Sequence, residues 1–255
     1  MERLIHIIPL GMEIDRAVLP VQAMKAHRAH VLCDPEAGEM QHFFSQVSKK
    51  LEGDHVEVVH TKVDSEGDLK GLMREMTRLS EEEVQKGNRV FVNISSAGKL
   101  AAVAGMLATM AHLEERGYSY YVRPEARAKS DKDVKKHGLS IGMVGNPMRV
   151  PSFALSLPSS AGTSILRSLA ASPQRSLSYQ ELFDVLRKNG TPGFDAKVTK
   201  MTLRAEKTRM TVKLTKTILK PLMDARFIEI EKLGRRRKVT LTQSGYDMAC
   251  LLGYE

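Results

Sequence analysis

Apolar runs and helical patterns alternate over the first 145 residues of the chain. Short runs that predict strands lie at 4–10, 29–34, 55–61, 89–95, 118–124 and 139–145; the first is of the buried kind, and the third alternates between apolar and polar residues. Stretches of helical pattern lie between the first five of them. Strands that alternate with helices imply right-handed crossovers and a mainly parallel sheet. We therefore predict a Rossmann-like α/β domain at the N-terminal end.

Two stretches interrupt this alternation. Residues 125–137 are charged and lack apolar periodicity, which predicts an exposed insertion. Residues 145–162 carry three prolines and several small residues, a composition typical of linkers. We place a domain boundary near residue 158, which gives domains at 1–158 and 159–255.

The second domain has a different pattern. Helical stretches at 163–172, 179–190 and 211–227 precede two alternating segments within 227–242 and a final helix at 244–252. Residues 191–208 read as a connector. The third helix is expected to face the core with Val212, Leu214, Ile218, Leu219 and Leu222, and Pro221 is expected to kink it. The alternating segments predict a β-hairpin. Three helices followed by a basic hairpin predict a winged helix-turn-helix domain.

Charge separates the two domains. The net charge of +9 lies wholly in residues 159–255, where eighteen basic residues face nine acidic ones. This asymmetry favours a polyanionic partner, although a basic surface that only aids solubility is the simpler alternative. Winged helices also serve protein–protein contacts, so duplex DNA is an expectation here and not the only reading.

The residues expected to contact DNA fall into two groups. Hydroxyls and cations near the start of the third helix suit base edges and phosphates, and cations at the hairpin tip suit phosphates. The predicted contacts are Thr211, Lys213, Thr215, Lys216, Arg235, Arg236, Arg237 and Lys238.

Cysteine and histidine usage argues against a metal centre. Cys33 and Cys250 are far apart in sequence, and the eight histidines show no metal-ligand spacing. We expect no disulfide framework, metal or cofactor, and we expect a cytoplasmic protein, because no leader pattern or membrane-spanning run is present.

Two strand-to-helix loops of the first domain are candidates for ligand binding. The segment VNISSAGKL at 92–100 ends a strand and offers backbone N–H groups, the start of a helix and Lys99. It matches neither the Walker A nor the GxGxxG spacing. An ordinary turn is the alternative.

The second loop follows the first strand. Gly11 ends that strand, and Glu13, Asp15 and Arg16 crowd the start of the next helix. Capping of that helix is as good an explanation of the two carboxylates as ligand contact. Arg16 beside a phosphate-type loop favours a ligand. Ligands bind at the carboxyl ends of parallel strands, so the two loops are expected to share one crevice.

The combination IHIIPLGMEIDR and VFVNISSAGKLAAVAG, followed by a winged helix, resembles transcriptional regulators of the CARF (CRISPR-associated Rossmann fold) type, of the archaeal kind. The stretch from 219 to 248 is also similar to MarR-like and ArsR-like winged helices, although Asp224–Phe227 stands where a glycine-containing turn is common. The resemblance implies a homodimer that binds a cyclic oligoadenylate, commonly cyclic tetra-adenylate, between two copies of the loop after the fourth strand. Carried onto this sequence, the ligand contacts are Leu10, Gly11, Met12, Arg16, Asn93, Ser95, Ser96, Ala97, Gly98 and Lys99. Ser96 and Ala97 replace glycines of the family pattern.

The sequence thus predicts a ligand-responsive, DNA-binding transcriptional regulator without catalytic residues. Two alternatives stay open. One is a nucleotide-processing enzyme, such as a ring nuclease that cleaves the cyclic ligand. The other is a constitutive DNA-binding protein whose first domain only dimerises.

Overall fold

The computed structural model describes residues 2–65, 67–113, 115–152, 155–195, 204–233 and 236–254. The chain divides into two compact units, Met1–Leu155 and Ser156–Glu255.

The first unit alternates strands and helices as far as β5 and ends in short elements. Its elements are β1 (Leu4–Pro9), α1 (Asp15–Ala23), β2 (Arg28–Cys33), α2 (Met40–Gly53), β3 (Glu57–Lys62), α3 (Leu69–Gln85), β4 (Arg89–Asn93), α4 (Lys99–His112), β5 (Gly117–Tyr121), β6 (Ala126–Arg127), α5 (Asp131–His137), β7 (Ser140–Ile141) and β8 (Met148–Arg149).

The main sheet has the order β3-β2-β1-β4-β5-β8. Its first five strands are parallel, and β8 pairs antiparallel with β5. Because helices cover parallel sheets on both faces, the central strands are apolar in nearly every position. The prediction of a mainly parallel α/β domain is confirmed. The strand order reverses between β1 and β4, which places a crevice at the carboxyl ends of these two strands.

The last part of the first unit differs from the sequence prediction. The run at 139–145 does not join the main sheet; its β7 pairs with β6 in a separate two-stranded ribbon. The sixth strand of the sheet is β8, which is too short to leave a periodic signal. The insertion at 125–137 contains α5, which buries no residue and begins at a Ser130 cap.

The second unit contains the predicted helices and hairpin. Its elements are α6 (Ser160–Ala171), β9 (Ser176–Ser178), α7 (Tyr179–Lys188), α8 (Arg204–Lys213), a π-helical turn (Leu214–Leu219), α9 (Lys220–Asp224), β10 (Ile228–Leu233), β11 (Arg236–Leu241) and α10 (Gln243–Leu251). The hairpin β10–β11 is confirmed, and β9 completes a three-stranded sheet in the order β10-β11-β9. Helix α7 begins at a capping box, in which the Ser178 and Glu181 side chains bind each other's backbone N–H groups.

The third helix of this unit is longer than predicted. Helix α8, the π-turn and α9 follow one another without a break, and together they are called the long helix below. It begins at Arg204, inside the stretch predicted as a connector. The wide turn lies just before Pro221, whose ring would otherwise clash with the carbonyl group four residues earlier. The expected effect of Pro221 therefore takes the form of a π-turn.

One predicted core position on the long helix is wrong. Met210, Leu214 and Ile218 are buried at a spacing of four residues, whereas Val212 is 46% exposed. Val212 lies half a turn from this buried row, so it faces solvent. The other predicted core residues of the long helix, Leu219 and Leu222, are buried.

Within the described residues, no helix is both long enough and apolar enough to cross a membrane.

Candidate functional site

The loops after β1 and β4 are joined by hydrogen bonds. We call residues 10–14 the first loop and residues 94–98 the fourth loop. The Gly11 N–H donates to the Ser96 carbonyl at 2.8 Å, and the Ser96 hydroxyl donates to the Pro9 carbonyl at 2.7 Å. Both Gly11 and Ser96 are buried. The expectation that the two loops share one crevice agrees with this contact at the point where the strand order reverses.

The polar side chains of the fourth loop point into the protein. Asn93 Oδ1 accepts hydrogen bonds from the Ser95 N–H at 2.9 Å and the Ser95 hydroxyl at 2.6 Å. Asn93 Nδ2 donates to the Arg16 carbonyl at 2.8 Å, and Ser95 Oγ accepts from the Val122 N–H at 3.0 Å. These side chains hold the loop in shape, so a ligand could meet only the outer part of the loop.

The outer part of the fourth loop leads directly into α4. Gly98 is the N-cap residue, its backbone is extended, and no side chain caps the helix. The first N–H groups of an α-helix have no partner within the helix. Lys99 is exposed at the first helical position, and Ala97 and Gly98 are half-buried. This helix start combines partial positive charge with a full cation, an arrangement suited to an anion.

Arg16 lies just after the first loop, in the first turn of α1, and is bound from several sides. Its Nε donates to the Val122 carbonyl at 3.1 Å, and its guanidinium lies 5.0 Å from the centroid of the Tyr121 ring. It also pairs with Glu13 at 3.4 Å. Leu10 is fully buried, while Met12 is 37% exposed. Of the first-loop positions taken from the resemblance, Met12 offers the most side-chain surface.

Glu13 and Asp15 bind another segment of the unit and do not cap α1. Glu13 accepts hydrogen bonds from the Ser140 N–H at 3.0 Å and the Ser140 hydroxyl at 2.8 Å. Burial raises the pKa of Glu13, although the Ser140 hydrogen bonds and the charge of Arg16 oppose that rise. Asp15 accepts from His137 Nδ1 at 2.7 Å and from the Gly142 N–H at 3.0 Å. The two carboxylates attach the segment 137–142 to the first loop.

A cavity of about 420 Å³ lies on the other side of the first loop. It is at the carboxyl ends of β1, β2 and β3, and it joins the first loop through the Ser65 hydroxyl, which donates to the Leu10 carbonyl at 2.6 Å. The cavity is lined by Met12, Asp34, Ala37, Glu39, Met40, Asp64, Ser65 and Leu139. Its three carboxylates disfavour a phosphate, so an anionic ligand is better placed at the fourth loop. This cavity was not predicted from the sequence, although the position of Asp34 directly after β2 is a signal that could have indicated it.

In the second unit, a groove of about 580 Å³ lies between the start of α7, the long helix and β11. Of the predicted DNA contacts, Thr211 and Arg237 line it. Thr215 lies beside it, with its hydroxyl 3.4 Å from the Tyr179 hydroxyl.

The other predicted DNA contacts lie elsewhere. Lys213 Nζ donates to the Pro192 carbonyl at 2.5 Å, and Lys238 Nζ donates to Gln174 Oε1 at 3.3 Å. Lys216 is exposed in the π-turn. Arg235 and the side chain of Arg236 lie outside the described part of the chain.

The two units define a class of protein: a Rossmann-like α/β domain followed by a winged helix domain. Residues 4–127 match a family model described as "HFX_2341_N:-like, N-terminal", and residues 162–253 match the "DUF6293 C-terminal winged helix domain". The winged helix prediction is therefore confirmed. The domain pairing also agrees with the resemblance to CARF regulators, and the archaeal assignment stays a prediction.

Three solved structures are similar to the chain. They are Enterococcus italicus Csm6 bound to cyclic hexa-2'-fluoro-hexa-dAMP (12% identity, TM-score 0.44), protein VC1899 from Vibrio cholerae (11%, 0.41), and Can2 from Sulfobacillus thermosulfidooxidans in complex with cyclic tetra-adenylate (14%, 0.38). The alignments cover 89%, 97% and 98% of this chain but only 57%, 65% and 64% of those chains. The chain thus spans less than two thirds of their length. No curated protein sequence matches it.

Proposed function

We propose that the protein is a homodimeric transcriptional regulator whose affinity for duplex DNA responds to a cyclic oligoadenylate, with cyclic tetra-adenylate as the first candidate. The observation that carries the proposal is the combination of two features in one chain. The first and fourth loops meet at the switch point of a parallel sheet beside an uncapped helix start, and a winged helix domain holds the whole net charge. The ligand itself is taken from the sequence resemblance. Csm6 and Can2 are recorded with cyclic oligonucleotides, which makes these compounds the natural panel to test.

The fourth loop supports a phosphate ligand more than a catalytic role. The hydroxyls of Ser95 and Ser96 are both engaged by protein groups, so neither is free to act on a substrate. Backbone N–H groups at Gly98 and Lys99, together with the Lys99 ammonium group, can bind the phosphates of a small cyclic nucleotide without reacting with it.

Titration calorimetry with cyclic tri-, tetra- and hexa-adenylate tests the sensor. Tight binding of one ring by the protein and a loss of at least tenfold in Lys99→Gln would support the proposal, and Lys70→Gln is a matched control on α3. Chromatography of the same mixtures separates the alternatives, because cleaved ligand indicates a ring nuclease. Absence of binding to every ring indicates a constitutive DNA-binding protein.

Exposed apolar side chains on α4 support a homodimer. Leu100 and Val103 follow the fourth loop, lie three residues apart on one helix face, and are 38% and 48% exposed. A second copy placed against this face would bring two fourth loops together. Sedimentation analysis should therefore give a dimer for the protein and a monomer for Val103→Glu. The matched variant Val144→Glu, at a position that is also exposed, should remain dimeric.

A further inference from the structure

The groove between α7, the long helix and β11 has a composition that the sequence analysis did not anticipate. Its lining comes from β9, α7, the long helix and β11, and it comprises Ser178, Tyr179, Gln180, Phe183, Lys207, Thr211 and Arg237. Tyr179, Gln180 and Lys207 were not among the residues expected to contact DNA. Lys207 lies within the stretch predicted as a connector, which hid its place on the long helix.

The charge of the groove is positive. Lys207 and Arg237 are both exposed, and none of the lining residues is acidic. The nearest acidic residue along α7 is Glu181, whose carboxylate accepts hydrogen bonds from the Ser178 N–H and the Ser178 hydroxyl, both at 2.7 Å. Glu181 therefore acts as a capping group of its own helix and does not line the groove, although it and Arg237 both line a neighbouring pocket.

Tyr179 contacts both the hairpin β10–β11 and the long helix. The Arg237 guanidinium lies 5.6 Å from the centroid of the Tyr179 ring, within the range of a cation–π interaction. The Tyr179 hydroxyl lies 3.4 Å from the Thr215 hydroxyl on the long helix. The ring therefore limits the positions that the Arg237 side chain can take, and it fixes that side chain relative to Thr211 and Thr215.

We propose that this groove binds a backbone phosphate of duplex DNA, with Lys207 and Arg237 as its cationic contacts and Tyr179 as a positioning residue. The inference rests on the proposed DNA binding and adds the place on the surface where the backbone is gripped. A phosphate held there lies directly beside Thr211, so the long helix would enter the adjacent groove of the duplex at a fixed register. Phosphate contacts of this kind position a protein without reading sequence.

The test uses the full-length protein and mixed-sequence duplex DNA of about two helical turns, because phosphate contacts do not depend on the operator. Fluorescence anisotropy over a range of salt concentrations gives the slope of log affinity against log salt. Each lost phosphate contact should make this slope shallower by about 0.9. Both subunits of the proposed homodimer carry the groove, so we expect about twice that change for Lys207→Gln and for Arg237→Gln, and about four times that change for the double variant.

Lys188→Gln is the matched control. Lys188 is exposed at the far end of α7, and its substitution removes the same charge from the same unit. Its slope should stay close to that of the unaltered protein. An equal change in all three variants would mean that general charge, not the groove, drives binding. Unaltered slopes in the Lys207 and Arg237 variants, with DNA still bound, would overturn the groove. Failure of the unaltered protein to bind DNA at low salt would instead remove the proposed function.

The positioning role has a separate readout. Tyr179→Leu should weaken DNA binding severalfold, whereas Tyr179→Phe keeps the ring under Arg237 and should restore most of the affinity. The circular dichroism spectra of both variants should match that of the unaltered protein. Equal losses in the two variants, or no loss in either, would contradict a role for the ring.

Discussion

At the scale of single residues, Glu83 shows how a charge is kept inside the first unit. It lies near the C-terminal end of α3, is 1% exposed, and is bound by Arg28 at 2.8 Å, Lys86 at 3.1 Å and Asn88 at 2.6 Å. Burial opposes its ionisation, but the hydrogen bonds from Lys86 and Asn88 and the charge of Arg28 outweigh burial and lower its pKa to about 2. A carboxylate bound in this way ties α3 to the first residue of β2.

Replacement of Glu83 should therefore be costly. Glu83→Gln leaves the half-buried Arg28 guanidinium with Glu57 as its remaining carboxylate partner and removes the buried one, and we expect a loss of about 3 kcal/mol in the free energy of unfolding. Urea denaturation at neutral pH measures this loss. The neighbouring Glu82→Gln removes only a surface pair with Arg78 and should cost less than about 1 kcal/mol. Similar losses in the two variants would contradict the role given to Glu83.

His6 is the opposite case to Glu83, because it is buried as a neutral group. It lies in β1, is fully buried, and its Nδ1 is 2.9 Å from the Tyr120 hydroxyl. Burial lowers its pKa to about 3. The unfolded chain, with an ordinary histidine pKa of 6.5, then binds more protons than the folded chain between pH 6.5 and 3.

The free energy of unfolding should accordingly fall as the pH is lowered through that window. His6→Phe should lose this part of the pH dependence. The free energy of unfolding of the variant, relative to that of the unaltered protein, should therefore rise as the pH drops from 6.5 to 4.5. Denaturation curves at a series of pH values test this. A difference that does not change with pH would show that His6 takes up a proton in the folded protein as readily as in the unfolded chain, and would contradict this account.

At the scale of elements, the end of the long helix explains a departure noted in the sequence. The Phe227 N–H donates to the Leu222 carbonyl, and the Arg226 N–H donates to the Met223 carbonyl, which is the Schellman pattern of helix termination. In this pattern the residue at Arg226 takes a left-handed backbone, and its φ is +60°. Glycine adopts this conformation most easily, so the conformation at Arg226 is the one that a glycine-containing turn would supply.

Glycine at this position should therefore be an improvement. Arg226→Gly removes the strain of a Cβ at positive φ and should stabilise the second unit by about 1 kcal/mol. The substitution keeps the hydrogen bond from the Thr242 hydroxyl, because Arg226 accepts it with its backbone carbonyl. Arg226→Ala keeps the Cβ and should give no gain. Thermal unfolding of the three proteins distinguishes the effect of the backbone from that of the arginine side chain.

The secondary-structure elements show which parts of the structure can be predicted from the sequence. Strands β1, β2, β4 and β5 are predictable because each lies in a short, mostly apolar run, and β3 and the hairpin are predictable because their residues alternate. The connector at 191–208 was misjudged because α8 is polar, and the π-turn shifts the apolar spacing along the long helix. The fourth loop was found from its small residues, but the inward direction of Asn93, Ser95 and Ser96 depends on partners far away in sequence, such as Pro9 and Val122. Tyr179 and Lys207 were missed for the same reason.

At the scale of the whole molecule, each unit has the means to fold by itself. The second unit buries its own cluster of apolar residues, including Leu169, Leu182, Phe194 and Leu219, and carries all of the net charge. The first unit contains both joined loops and the exposed face of α4. The proposed ligand response and the proposed DNA affinity thus belong to separate cores.

A fragment of residues 156–255 should then behave in a defined way. We expect it to fold, to bind duplex DNA with the salt dependence of one subunit, and to show no response to any cyclic oligoadenylate. Circular dichroism and the anisotropy assay measure these properties. An unfolded fragment would contradict the independence of its core, and a ligand response in the fragment would move the sensor out of the first unit.

The π-turn makes one part of the long helix tolerant of a shorter chain. Its hydrogen bonds reach one residue further than those of an α-helix, so it holds one residue more than ordinary helical winding needs. Deletion of one residue from 214–219 would let the helix return to that winding and would leave Lys207 and Thr211 close to their present direction relative to Leu222. Deletion of one residue between Thr211 and Leu214 has no surplus to use and would rotate Lys207 and Thr211 by about 100°.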